Sequence, residues 1–177
     1  MKIFVGCSSS EKMPQKYVED CTKLLEILLK DNDLVFGACD RGLMGIAYNI
    51  AKKNKRKVIG LCPEVYQKSL ETLKCDKEEI TKSIMDSTIK IYKNSDIILM
   101  LPGGFGTIYE FITANYCKIC NEITVPIILY NSCGYYDKLL SFIDDAINNN
   151  IINEKEVGKF IVANNIEKVI EHIKNYK

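Results

Sequence analysis

The stretch Ile97-Ile98-Leu99-Met100-Leu101-Pro102-Gly103-Gly104-Phe105-Gly106-Thr107-Ile108-Tyr109-Glu110 runs from an apolar segment through a glycine loop into a helix start. Its first part, residues 97–101, shows no polar alternation, the pattern of a strand buried on both faces of a parallel sheet. The glycines behind it let the backbone approach a ligand closely. The helix that follows offers unpaired N–H groups and the positive end of its dipole to an anion. Strand, glycine turn and helix form the repeating unit of an open α/β sheet.

Apolar runs of the same kind lie at residues 2–6, 34–37, 57–61 and 125–130. Helical spacing fills the gaps between them. Val18, Cys21, Leu24, Leu25, Leu28 and Leu29 trace one face over 17–30, and 45–54, 110–121 and 137–149 read likewise. A short apolar segment at 160–162 and a helix over 166–176 follow. The polar stretch 66–90, which contains Lys77, Glu78 and Glu79, reads as a loop and helix. The order predicts a Rossmann-like open parallel sheet with helices on both faces and right-handed crossovers. One domain over 1–177 accounts for the whole length.

Composition narrows the partners. The 24 Lys+Arg balance 23 Asp+Glu, so no basic footprint for nucleic acid or an anionic membrane is present. No run approaches the ~20 apolar residues of a membrane span, and the N-terminus does not read as a signal peptide. A cytoplasmic chain with its 8 cysteines reduced is expected. Only Arg41 and Arg56 are arginines. That is few for the residue best suited to bidentate phosphate or carboxylate binding.

Three glycine-bearing loops follow strands: Gly6-Cys7-Ser8-Ser9-Ser10, then Gly37-Ala38-Cys39-Asp40-Arg41-Gly42-Leu43-Met44-Gly45, then Pro102-Gly103-Gly104-Phe105-Gly106-Thr107. Ligands of open α/β sheets bind outside the carboxyl ends of strands. One such loop reads equally well as a tight turn; three on one sheet edge point to a nucleotide-like ligand with its phosphate on Gly103, Gly104, Gly106 and Thr107. The spacing is neither a Walker loop nor GxGxxG. Thr107-Ile108-Tyr109-Glu110 also fits a capping box, so Glu110 reads either as a cap or as a carboxylate beside the phosphate pocket. Cys117-Lys118-Ile119-Cys120 falls inside a helix and reads as packing, and His172 is the only histidine, so neither a metal site nor a histidine triad is expected. Tyr135 and Tyr136 read as packing rather than as a base-stacking pair.

The segment 102–110 matches the PGGxGTxxE signature of the Lonely Guy (LOG) family, long labelled as lysine decarboxylases. Gly42-Leu43-Met44-Gly45 matches its GLMG, Gly6-Cys7-Ser8-Ser9-Ser10 resembles its serine loop, and Gly134-Tyr135-Tyr136-Asp137-Lys138-Leu139-Leu140 resembles its GYYxxLL segment. The resemblance implies a homodimer, without a cofactor, that hydrolyses nucleoside 5′-monophosphates at the N-glycosidic bond. Its products would be ribose 5-phosphate and a free base, such as the N6-modified adenine of cytokinin activation. Glu110 would be the catalytic carboxylate, with Ser8, Ser9, Gly42 and Met85 around the nucleotide. The chain departs from the family where a segment like MHERK supplies an arginine. Here it reads Ile84-Met85-Asp86-Ser87-Thr88-Ile89-Lys90. Arg41 is the expected replacement and Lys90 the second candidate; a nucleotide-binding sensor or carrier of the same fold is the alternative. Lysine decarboxylation is not expected, because no lysine sits in a recognisable setting for a pyridoxal Schiff base.

Overall fold

The computed structural model describes residues 1–153 and 160–176. Its seven strands form one parallel sheet in the order β4-β3-β2-β1-β5-β6-β7. They are β1 (Lys2–Gly6), β2 (Asp33–Phe36), β3 (Val58–Pro63), β4 (Lys77–Thr81), β5 (Ile97–Met100), β6 (Ile127–Tyr130) and β7 (Ile161–Ala163). The described α-helices are α1 (Gln15–Leu28), α2 (Gly42–Lys53), α3 (Ile84–Lys93), α4 (Phe105–Ile119), α5 (Asp137–Asn148) and α6 (Ile166–Lys174). Glu64–Thr72 is a 3-10 helix.

Successive strand residues point to opposite faces, and both faces are covered. Ile3 and Val5 of β1 join Leu34, Phe36, Leu99 and Tyr130 in a layer under α1, α2 and α6. Phe4, between them, joins Val35, Ile98 and Leu129 in the other layer, which receives Ile91 and Tyr92 of α3 and Phe111 and Ala114 of α4. The expected Rossmann-like sheet with helices on both faces is therefore what the chain forms. The continuous apolar runs are its double-sided strands.

Two expectations are corrected. Residues 66–90 hold the strand β4 as well as helical structure. β4 lies at the sheet edge, pairing with β3, and its Lys77, Glu78 and Ile80 are exposed, so it lacks the buried apolar run of an inner strand. The helix expected from Glu110 begins at Phe105, with Gly104 as N-cap and no side-chain capping bond. Thr107 and Glu110 therefore lie inside the helix, and the capping-box reading fails.

The direction in which successive strands are added to the sheet reverses between β1 and β5. Strands β2, β3 and β4 build outward on one side of β1, and β5, β6 and β7 on the other. Such a reversal leaves a crevice at the carboxyl ends of the two central strands.

Candidate active site

A cavity of about 670 Å³ opens in that crevice. The three glycine-bearing loops meet there and are tied together at Ser8. The Ser8 N–H donates to the Pro102 carbonyl (3.1 Å), and the Ser8 carbonyl accepts from the Leu43 N–H (2.9 Å). Gly42 permits that junction. Its φ is +57°, and a Cβ there would stand 2.6 Å from the Ser9 carbonyl carbon, so a side chain would meet backbone rather than a movable group.

Ser8, Ser9, Arg41, Gly104, Gly106, Thr107 and Glu110 line the cavity together. Gly42 and Gly103 stand behind it. Gly42 wedges against the serine loop, and Gly103 is packed against the Thr107 side chain. Met85 is not part of the lining. Its side chain is 71% exposed, and the preceding Ile84 faces the cavity instead.

The amides at the start of α4 have no helical acceptors, because a first helical turn leaves its N–H groups unpaired. They point with the helix dipole toward the cavity, an arrangement suited to a phosphate. Glu110 lies further along the same helix. Its carboxylate passes over Gly6, where a Cβ would come within 3.2 Å of Oε2. Met100 Sδ stands closer still, at 2.5 Å, so the bare backbone at the end of β1 leaves room for both side chains. Burial pushes the Glu110 carboxyl up to about 8. Its backbone carbonyl is held by the Tyr92 hydroxyl of α3 at 2.6 Å, which locks α4 to the neighbouring helix. Beside it, burial is the largest cause raising the Cys7 thiol, with Cys21, Glu110 and Cys39 adding to it.

Among the described lining residues Glu110 is the only acid and Arg41 the only cation. Arg41 is the N-cap of α2. Lys90 is placed elsewhere: its Nζ binds Glu79 Oε1 at 2.5 Å, tying α3 to β4, and it does not line the cavity. Of the two candidate replacements for the missing arginine, only Arg41 reaches the site.

Sequence reasoning overlooked part of the wall. Ser87 and Thr88 of α3 and Tyr66 and Ser69 of the 3-10 helix line the cavity opposite α4. The available signal was Ser83, an N-cap whose side chain accepts from the Asp86 N–H at 3.1 Å. Tyr135 and Tyr136 pack, as expected. Their hydroxyls reach the carbonyls of Gly103 and Leu101, both at 2.7 Å. Cys117 and Cys120 lie at the C-terminal end of α4, away from any helix N-terminus.

A family model described as "Possible lysine decarboxylase", which covers the LOG proteins, matches residues 44–173. The chain belongs to that family. It is 29% identical over 181 residues to a cytokinin riboside 5′-monophosphate phosphoribohydrolase of Arabidopsis thaliana, covering 99% of this chain and 83% of that protein. It is also 29% identical to a probable enzyme of the same name from Oryza sativa subsp. japonica, covering 99% and 71%. Among solved structures it resembles the molybdenum cofactor carrier protein of Chlamydomonas reinhardtii, with a TM-score of 0.70, 18% identity and coverage of 99% and 96%. The molybdenum cofactor binding protein of Rippkaea orientalis gives a TM-score of 0.68 at 23% identity, with coverage of 98% and 95%. These two likenesses show the fold. In this LOG-family chain no described lysine lines the cavity. No helix among the described residues is long and apolar enough to cross a membrane.

Proposed function

We propose that this protein is a nucleoside 5′-monophosphate phosphoribohydrolase. The observation that carries the reading is the placement of Glu110 in the same cavity as the free amides of α4. Those amides, from Gly104 to Thr107, bind the 5′-phosphate and fix the ribose. The carboxylate then faces the sugar, where cleavage of the C1′–N bond builds positive charge. A preorganised anion in a water-poor site stabilises such an oxocarbenium-like state more than it stabilises the neutral ground state. Water supplies the oxygen that bonds to C1′, and the leaving nitrogen of the base takes up a proton. Arg41 supplies the single positive charge, compensating phosphate or leaving group.

The similarity to proteins named cytokinin riboside 5′-monophosphate phosphoribohydrolases supports this chemistry and favours N6-modified AMP as substrate. The apolar wall from Leu61, Pro63, Tyr66 and Ile84 suits a base with a hydrocarbon substituent. The reading requires no metal or organic cofactor and takes a second copy of the chain as its partner, in the cytoplasm.

A non-catalytic nucleotide-binding or carrier role is the second reading. It is favoured by the hydroxyls of Ser87 and Thr88 on α3, in the segment where the resemblance calls for an arginine. Incubation of the purified protein with AMP and N6-modified AMP, followed by chromatography of the free base, separates the two. Base and ribose 5-phosphate in equal amounts are expected. Retained binding without base release across a panel of nucleotides would leave the carrier reading.

A further inference from the structure

We propose that Tyr135 is a positioning residue that aims the Gly104 N–H at the phosphate subsite, a role resting on the nucleotide reading above. The Tyr135 hydroxyl donates to the Gly103 carbonyl at 2.7 Å. In a trans peptide the C=O and the following N–H point in opposite directions. Holding the Gly103 carbonyl toward Tyr135 therefore turns the Gly104 N–H the other way, and Gly104 lines the cavity. A peptide flanked by glycines on both sides is among the easiest to rotate. Without an anchor, the Gly104 N–H would have no fixed direction.

The anchor is itself rigidly held. The Tyr135 ring packs edge-on against Tyr17 of α1 (5.3 Å, 80°) and against Tyr136 (4.8 Å, 85°). The turn that carries it is closed by Asn131. Its Nδ2 donates to Asp137 Oδ1 (2.7 Å) and Asn164 Oδ1 (3.0 Å), and its Oδ1 accepts from the Tyr136 N–H (2.7 Å). Cys133 and Gly134 complete the turn at φ +50° and +72°. Preorganisation of this kind spares the ligand the entropy of ordering the loop.

Tyr136 provides an internal control. Its hydroxyl binds the Leu101 carbonyl at 2.7 Å, yet the next residue is Pro102, which has no N–H to aim. Two neighbouring tyrosines thus make the same bond to one loop, and only one of these bonds orients a donor.

Calorimetric titration of AMP, inorganic phosphate and adenosine into the wild type, Tyr135→Phe and Tyr136→Phe tests this. Tyr135→Phe is expected to bind AMP and inorganic phosphate about tenfold more weakly, the effect of one well-aimed hydrogen bond, and adenosine unchanged. Tyr136→Phe is expected to lose thermal stability and keep the wild-type preference for AMP over adenosine. AMP affinity unchanged in Tyr135→Phe overturns the proposal, as does an equal loss for AMP and adenosine. A wild type that binds AMP without releasing base removes the hydrolytic reading and leaves this comparison intact. A wild type that binds neither AMP nor phosphate overturns both.

Discussion

Glu110 carries its charge where burial opposes it, and both its chemistry and its cost follow from that. The ionised form is the one that can stabilise an oxocarbenium-like sugar. With its carboxyl raised to about 8 by burial, kcat/KM for base release should climb with pH until it levels above that value. A profile that is flat or falling through neutral pH would contradict the assigned role. Glu110→Gln keeps the shape, removes the charge and should abolish base release while the far-ultraviolet spectrum stays that of the wild type. Stability has the opposite slope. Between the ordinary 4.5 and about 8, the folded chain keeps a proton that the unfolded chain has lost. Folding stability therefore falls as pH rises through this window. Glu110→Gln should flatten that fall, so its melting temperature gains on the wild type at the alkaline end. Melting curves on both sides of the window read the difference directly.

Among the elements, α2 and α3 divide the question of the missing arginine. Arg41 at the start of α2 lines the cavity, and Lys90 near the end of α3 is engaged with Glu79 of β4. Arg41→Ala should lower kcat/KM about tenfold or more, the scale expected when a charge near a transition state is removed. Lys90→Ala should leave base release at the wild-type rate and cost no more than about 1 kcal/mol in denaturant unfolding, as for other partly exposed ion pairs. The reverse pattern would move the working cation to α3. The same elements show what the sequence could disclose. The inner strands were legible because burial on both faces demands unbroken apolar runs, as in Ile97-Ile98-Leu99-Met100. β4 was hidden because an edge strand is free to carry Lys77, Glu78 and Glu79. Thr107 and Glu110 imitated a cap because their spacing fits one. The decisive fact, that Gly104 already caps the helix, is a matter of backbone angles. Ser87 and Thr88 could not be placed in the site until α3 was known to pack against β3 with these two residues at the cavity.

For the molecule as a whole, α4 presents two unlike faces. Phe111, Ala114 and Cys117 are buried against the sheet, while Phe105, Tyr109, Ile112 and Tyr116 follow one another along the outer face at helical spacing. Phe105 is 94% and Tyr116 65% exposed. A continuous apolar stripe on a surface helix marks an interaction face more often than a solvated one. The proposed pairing of two copies would cover this stripe, because an isologous contact needs only one self-complementary patch. Phe105 and Tyr109 also line the mouth of the cavity, so pairing along this stripe would cover the mouth and help exclude water from the reacting sugar. Sedimentation equilibrium should return the dimer mass for the wild type. The double variant Ile112→Glu, Tyr116→Glu changes only residues outside the cavity lining and should return the monomer mass with helix content unchanged. Base release should fall with dissociation, and restoring dimers by raising the concentration of the Ile112→Glu single variant should bring it back. A wild type that sediments as a monomer at every concentration, or a double variant that remains dimeric, would show that this stripe is not the contact between copies.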